Sequence, residues 1–214
     1  MKQTPGVVDL QMNRSSLPEA LILPSNLLKF LTEVNNSPSQ RVVHGGSPRW
    51  SCPPSGRLKL NVDGAWEKEN YVGGVGVIIR NDEGSFMGAA TYMFMDVFSR
   101  IQVEELAMRV SLEMVVERDL NKIIIESDAF QIISAMKEPS VNLSLIGPII
   151  EDIKFLLSMV TEASVAHVCR QANSVAHKLA RFALHGGGNC TWFDETPVII
   201  NDLLMEDISL PCTN

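Results

Sequence analysis

LKLNVDGAW, residues 58–66, alternates apolar Leu58, Leu60 and Val62 with polar Lys59, Asn61 and Asp63, the period of a strand with one face on a core. GGVGVIIRN (73–81) and FMGAATYMF (86–94) continue as two more strands, and Asp82, Glu83 and Gly84 between them read as a hairpin turn. RIQVEELAMRVSLEMVVERDL (100–120) changes period: Val103, Leu106, Ala107, Val110 and Met114 recur at helical spacing. Ile123, Ile124 and Ile125 form the β-branched run of a buried parallel strand. A helix over DAFQIISAMKE (128–138) follows, with Asp128 as its cap and Pro139 as its stop. A helix from about Leu145 to Val160, a strand around SVAHVC (164–169) and a helix from about Ala172 to Leu184 complete the series, stopped by Gly186, Gly187 and Gly188. A meander of three strands, then alternating helix and strand, predicts an α/β fold with helices packed on the faces of a mixed sheet.

Outside this stretch the patterning weakens. Residues 1–57 read as a flexible flank and linker. SNLLKFLTEVNN (25–36), with Ser25 as N-cap, is a short helix at most, and GGSPRWSCPPSG (45–56) has too much Pro and Gly for either element. Residues 58–184 read as the folded domain, and 185–214 as an acidic tail that packs loosely or extends from it. At 45% hydrophobic and 20% charged residues, wholesale disorder is excluded. No apolar run approaches the roughly 18–20 residues of a bilayer span, and the N-terminus has no apolar signal region. An intracellular protein of the nucleus or cytoplasm, away from membranes, is the expectation. Cys52, Cys169, Cys190 and Cys212 make no CxxC pair, so reduced thiols are expected, not a disulfide framework or a zinc finger. A zinc site of His167, Cys169, His177 and Cys190 fails on spacing.

The net charge of −7 is uneven: residues 1–57 carry 6 Lys/Arg against 3 Asp/Glu, whereas 185–214 carry none against 5. The central region is also acidic, so it lacks the basic footprint usual for a nucleic-acid binder. Its acidic residues are ordinary one by one. Asp63-Gly64 is a turn dipeptide, Glu104 a helix-surface carboxylate, Asp128 a cap. Their placement is not ordinary: Asp63 and Asp128 end two strands and Glu104 starts a helix. Ligands of open α/β sheets gather beyond the carboxyl ends of the strands. Three carboxylates converging there repel unless cations neutralise them, and hard oxygen ligands suit Mg²⁺.

Five pieces in this order resemble a known family: VDGA (62–65), the hairpin GGVGVIIRNDEG (73–84), EELAMRVSL (104–112), IIIESD (123–128) and HVCRQANSVAHKLA (167–180). Together they are similar to the ribonuclease H type 1 domain, and more narrowly to the reverse-transcriptase-like ribonuclease H domains of plant genomes, many related to non-LTR retrotransposons. The resemblance runs from about Arg57 to Leu184 and implies a ribonuclease H-like fold, a five-stranded mixed sheet with helices on both faces. It implies a metal-dependent endonuclease that cuts the RNA strand of RNA–DNA hybrids. Two Mg²⁺ ions, with Mn²⁺ as a substitute, would bind at Asp63, Glu104 and Asp128. Glu105 competes with Glu104, and the family spacing to Ala107 and Leu112 selects Glu104.

Two departures stand out. The fourth metal position, often Asp in the family, is His177 here, and imidazole suits softer cations than Mg²⁺. EPSVNLSLIGPIIEDI (138–153) lacks the basic cluster with which some members hold hybrid. His167 resembles a family histidine on a mobile loop that assists proton movement or product release. The rival reading is a retroelement-derived domain that keeps the fold but cleaves little, acting as a nucleic-acid-binding or protein-interaction module. The intact trio favours the enzyme; the acidic surface and His177 favour the rival.

Overall fold

Nine residues in a row, VGGVGVIIR, are buried in strand β2 (Val72–Arg80), as only a strand covered on both faces can be. It lies between β1 (Leu58–Glu67) and β3 (Phe86–Phe94), antiparallel to both, with Asp63 opposite Gly76. The computed structural model describes residues 49–138 and 147–208. The expected helix at 25–36, the Pro139 stop and half of the segment without a basic cluster lie outside the described residues.

After β3 come helix α1 (Arg100–Glu117), β4 (Ile123–Ser127), α2 (Phe130–Lys137), α3 (Gly147–Met159) and β5 (Ser164–His167). A 3₁₀ turn (Arg170–Asn173) leads into α4 (Ser174–Phe182), and β6 (Cys190–Trp192) and α5 (Asn201–Ile208) end the described chain. The sheet order is β5-β4-β1-β2-β3-β6, with β4 parallel to both β1 and β5. Helices cover both faces. On one, Leu60, Val62, Val75, Val77 and Ile125 pack under α1, α2 and α3; on the other, Ile78 and Ala89 pack against Val175, Ala176 and Leu179 of α4. No helix among the described residues is long and apolar enough to cross a membrane.

The expected sheet of five strands has six. Cys190–Trp192 pairs antiparallel with β3, from Ala89 opposite Trp192 to Thr91 opposite Cys190. The acidic tail is therefore part of the domain as far as α5, whose Leu204 joins Ile200 in the second core. Its apolar residues, spaced between acidic ones, cover the strand face that α4 leaves bare. The linker also packs. Trp50 is buried, and its indole N–H donates to Asn61 Oδ1 at 2.9 Å. Cys52 is disulfide-bonded, which corrects the expectation of four reduced thiols.

These flanking segments meet at Arg80, a guanidinium only 1% exposed at the end of β2. It stacks on the Trp50 ring at 3.5 Å, donates to Asn61 Oδ1 at 3.1 Å, and pairs with Asp207 of α5 at 2.7 Å. Beside it, Glu126 pairs with Lys59 at 2.8 Å and accepts from Asn61 at 3.0 Å. A buried charge deprived of its partner is left uncompensated. We expect Asp207→Ala to lower stability by about 3 kcal/mol in urea unfolding at pH 7. Asp202→Ala, which breaks the exposed pair with Lys178, should leave the midpoint where it is. Equal midpoints for the two variants would refute the clamp.

Candidate metal centre

Asp63 lies on β1 opposite Gly76 of β2, two residues beyond the last pairing with β4. The next residue, Gly64, is where α1 comes closest. A Cβ there would lie 2.9 Å from the Val103 carbonyl and 3.0 Å from the Glu104 nitrogen. Contact this close brings Glu104 to the strand, where its Oε2 accepts from the Gly64 N–H at 3.2 Å. The dipeptide Asp63-Gly64 is thus no turn: glycine serves here as the seat of a helix. Asp128 follows the last residue of β4, the parallel neighbour of β1, so both strands deliver a carboxylate at the same end of the sheet. It does not cap α2 as expected; Ser127 Oγ accepts from the Ala129 N–H instead.

Asp63, Glu104 and Asp128 each bring a carboxylate oxygen within 4.8 Å of the others. Asp63 and Glu104 are buried, at 1% and 6% exposure. Burial pushes the Glu104 carboxyl up to about 8, and the nearby charges of Asp63 and Asp128 add to the shift. Burial also raises Asp63, against a hydrogen bond from His177 that lowers it. Asp63 Oδ1 is buried with no hydrogen-bond partner. An orphaned oxygen in a cluster of hard, mutually repelling donors fits a divalent cation, which would supply the missing partner and the opposite charge. Asp63, Glu104 and Asp128 would hold it.

A family model described as reverse transcriptase-like matches residues 61–183, more than half of the chain and all three carboxylates. The chain belongs to this family. Curated proteins yield no match. Among solved structures, a ribonuclease H1 from the halophilic archaeon Halobacterium salinarum superposes with a TM-score of 0.54 at 21% identity, covering 61% of this chain and 98% of that one. A ribonuclease H1 isolated from compost, solved in complex with an RNA/DNA hybrid, gives 0.55 at 16% identity, covering 61% and 99%. The N-terminal ribonuclease H domain of a Mycobacterium tuberculosis protein gives 0.52 at 15%, covering 60% and 94%. The reverse transcriptase-like domain has the ribonuclease H-like fold.

Within this reverse transcriptase-like domain, His177 reaches the trio but does not join it. Its Nδ1 lies 2.7 Å from Asp63 Oδ2, on the side of Asp63 that faces α4. Helix α4 comes this near because β2 carries Gly76, where a Cβ would collide with the Ala176 carbonyl and the Ala180 nitrogen. His167 is also outside the cluster. It ends strand β5 rather than sitting on a loop, exposed and edge-on to the Phe130 ring at 5.5 Å. The four residues of the rejected zinc reading form no metal-binding group among the described residues.

Two residues escaped the sequence reading. Asn173 is 1% exposed and donates to both the Val62 carbonyl (2.9 Å) and Asp128 Oδ1 (3.1 Å), tying the turn after β5 to β1. Arg170 lies 3.8 Å from Asp128 Oδ2 and 2.9 Å from His177 Nε2. The 170–173–177 spacing, one face of a helical turn, was the available signal. Beside the trio opens a cavity of about 370 Å³, whose charged lining is Arg100, Arg170 and Arg181 against Glu67 and Glu69, with His177 and His185 beside them. It is a local basic surface on an acidic protein.

Glu105, the competing ligand, is fully buried elsewhere on α1, and neither of its oxygens has a hydrogen-bond partner. Burial raises its carboxyl from 4.5 to about 7. An acid raised in the folded state favours folding below its unfolded value and loses that contribution as pH climbs through the folded one. Glu105→Gln should therefore stabilise the cation-free protein by about 3 kcal/mol at pH 8 and by almost nothing near pH 4.5. Thermal melts across this window test it; parallel curves for parent and variant would count against a buried, protonated Glu105.

Proposed function

We propose that this domain is a divalent-cation-dependent endonuclease that cuts the RNA strand of RNA–DNA hybrids. The carrying observation is the buried trio within 4.8 Å, with an unpartnered Asp63 oxygen, at the strand ends of a ribonuclease H-like fold. A hybrid-bound relative of the same fold supports the substrate class. All-oxygen donors suit Mg²⁺, with Mn²⁺ able to substitute.

The chain's own residues divide the work. A bound cation would neutralise charge on the phosphate and acidify a water for in-line attack. Glu104, protonated near neutral pH without a cation, releases its proton to serve as ligand. Asn173 pins Asp128 to β1, and His177 pins one Asp63 oxygen while the other is left unpartnered. Arg100, Arg170 and Arg181 line the adjoining cavity with charge for the backbone phosphates of a strand. Hybrid is told from DNA by its 2′-hydroxyls and from RNA duplex by its groove shape.

Labelled RNA–DNA hybrid, RNA duplex and DNA duplex, each incubated with protein and Mg²⁺, test this reading. Cleavage of the hybrid's RNA strand is expected, and Asp63→Asn should abolish it. Without cations the variant should melt at or above the parent's temperature, because a buried, repelled carboxylate has gone. Parental cleavage by Asp63→Asn would overturn the mechanism.

A further inference from the structure

Just before α1 begins, two aromatic rings stand in the open. Phe98 is 66% exposed and Tyr71, on the turn between β1 and β2, 50%, and their centroids lie 5.5 Å apart. Both loops are fastened. The Val97 N–H donates to the Tyr71 carbonyl at 2.8 Å, and the Val97 carbonyl accepts from the Trp66 indole N–H at 2.8 Å. The Phe98 N–H donates to Gln102 Oε1 at 2.9 Å, while Ser99 Oγ accepts from the Gln102 N–H at 3.2 Å. Tyr71 and Asp96 both hold positive φ, +54° and +59°, and a bulky residue rarely adopts that conformation. The backbone is thus held in a costly shape that sets the two rings side by side.

The pair adjoins the metal centre. Arg100 begins α1 two residues after Phe98, is itself 65% exposed, and its Nε lies 3.6 Å from Glu104 Oε1. Trp66, fastened to the same loop as Phe98, lines the cavity beside the trio together with Arg100. Glu69 and Asp96, each two residues before a ring, are exposed, so a phosphate is drawn to Arg100 and not to the rings. What suits the rings is the uncharged face of a base. Bases inside a duplex have both faces covered by their neighbours, whereas an unpaired nucleotide has a face to give. We propose that Tyr71 and Phe98 stack an unpaired nucleotide that continues one strand of the hybrid beyond its paired end, with Arg100 on the adjoining phosphate. The inference rests on the nuclease reading and goes beyond it in the form of the substrate: a hybrid with a single-stranded extension is preferred to a blunt one.

Binding of the full chain to hybrids whose RNA strand carries hydrolysis-resistant phosphorothioates tests the proposal, with the paired segment either blunt or extended by a short unpaired run on one strand or the other. One extended hybrid should bind about tenfold tighter than the blunt one, and 5-iodouracil in its extension should photocross-link to Tyr71 or Phe98. Phe98→Ala should bind blunt and extended hybrids alike, and Phe98→Trp should restore the preference. Phe98→Leu, which keeps apolar bulk without a π-face, should not restore it. Equal binding of blunt and extended hybrids by the parent, or a preference that Phe98→Leu retains, would overturn the stacking site; cleavage of the RNA strand in unmodified hybrid with Mg²⁺ would then leave the nuclease reading in place. Self-association of the parent that Phe98→Ala abolishes, with no preference for an extension, would give the rings to a second copy and refute the proposal. A preference for the extension with no cleavage of unmodified hybrid would refute the nuclease reading and leave the stacking site standing. Failure to bind any of the hybrids would sink both.

Discussion

At Gly64, α1 lies against β1 so closely that a side chain would strike the Val103 carbonyl, and at Gly76, α4 does the same to β2 from the opposite face. Two helices are thereby drawn onto neighbouring strands at the level of Asp63, which pairs with Gly76 across the ladder. One helix brings Glu104 and the other His177. The same closeness excludes water, so Asp63 and Glu104 carry raised proton affinities instead of exposed charge. Close packing at the glycines and repulsion among the carboxylates are two sides of one arrangement. The fold tolerates the repulsion because the backbone contacts around it are extensive.

The structural unit is larger than the stretch matched by the family model. Trp50 lies before residue 61 and Asp207 after residue 183, yet both bind Arg80 at the end of the central strand. Arg80 is nearly inaccessible, and burial lowers its proton affinity while Asp207 opposes the shift. An ion in such a place is tolerable only with its partners in position. Both flanking segments are thus tied to the sheet by one side chain, and β6 and α5 finish covering the face that α4 begins. Removing the C-terminal segment would take away the ion-pair partner of the guanidinium, and removing the N-terminal one the ring it stacks on. The edge of the domain is accordingly set by where Arg80's partners lie.

Strand and helix periods were legible because each element has one dominant core face, and the order of elements from β1 to α4 follows directly. The carboxylates at the strand ends were legible too. What escaped is instructive. Cys190–Trp192 is only three residues long, too short to show an alternating period, and it becomes a strand because β3 offers an open edge. Trp50 sits in a Pro-rich run that no periodicity marks, and its burial is decided by Arg80, distant in sequence. The dipeptide Asp63-Gly64 has the composition of a turn, and only the approach of α1 gives the glycine another purpose.

Charge was misleading for a related reason. A tally over 58–184 averages acids on all sides of the domain, whereas a charged ligand at the site would feel mainly what lies within a Debye length of about 8–10 Å. Within that range Arg100 from α1, Arg170 from the turn before α4 and Arg181 from α4 itself meet at one cavity. They stand 11 positions or more apart in the chain, so no window of sequence shows them together. Their neighbours in space are the three carboxylates. Each of the first two also has a carboxylate partner, Arg100 at 3.6 Å from Glu104 and Arg170 at 3.8 Å from Asp128. Those distances are long for an ion pair, and both guanidinium groups are more than half exposed. An acidic centre and a group of exposed guanidinium side chains thus stand side by side, and a charge tally along the chain cancels the one against the other.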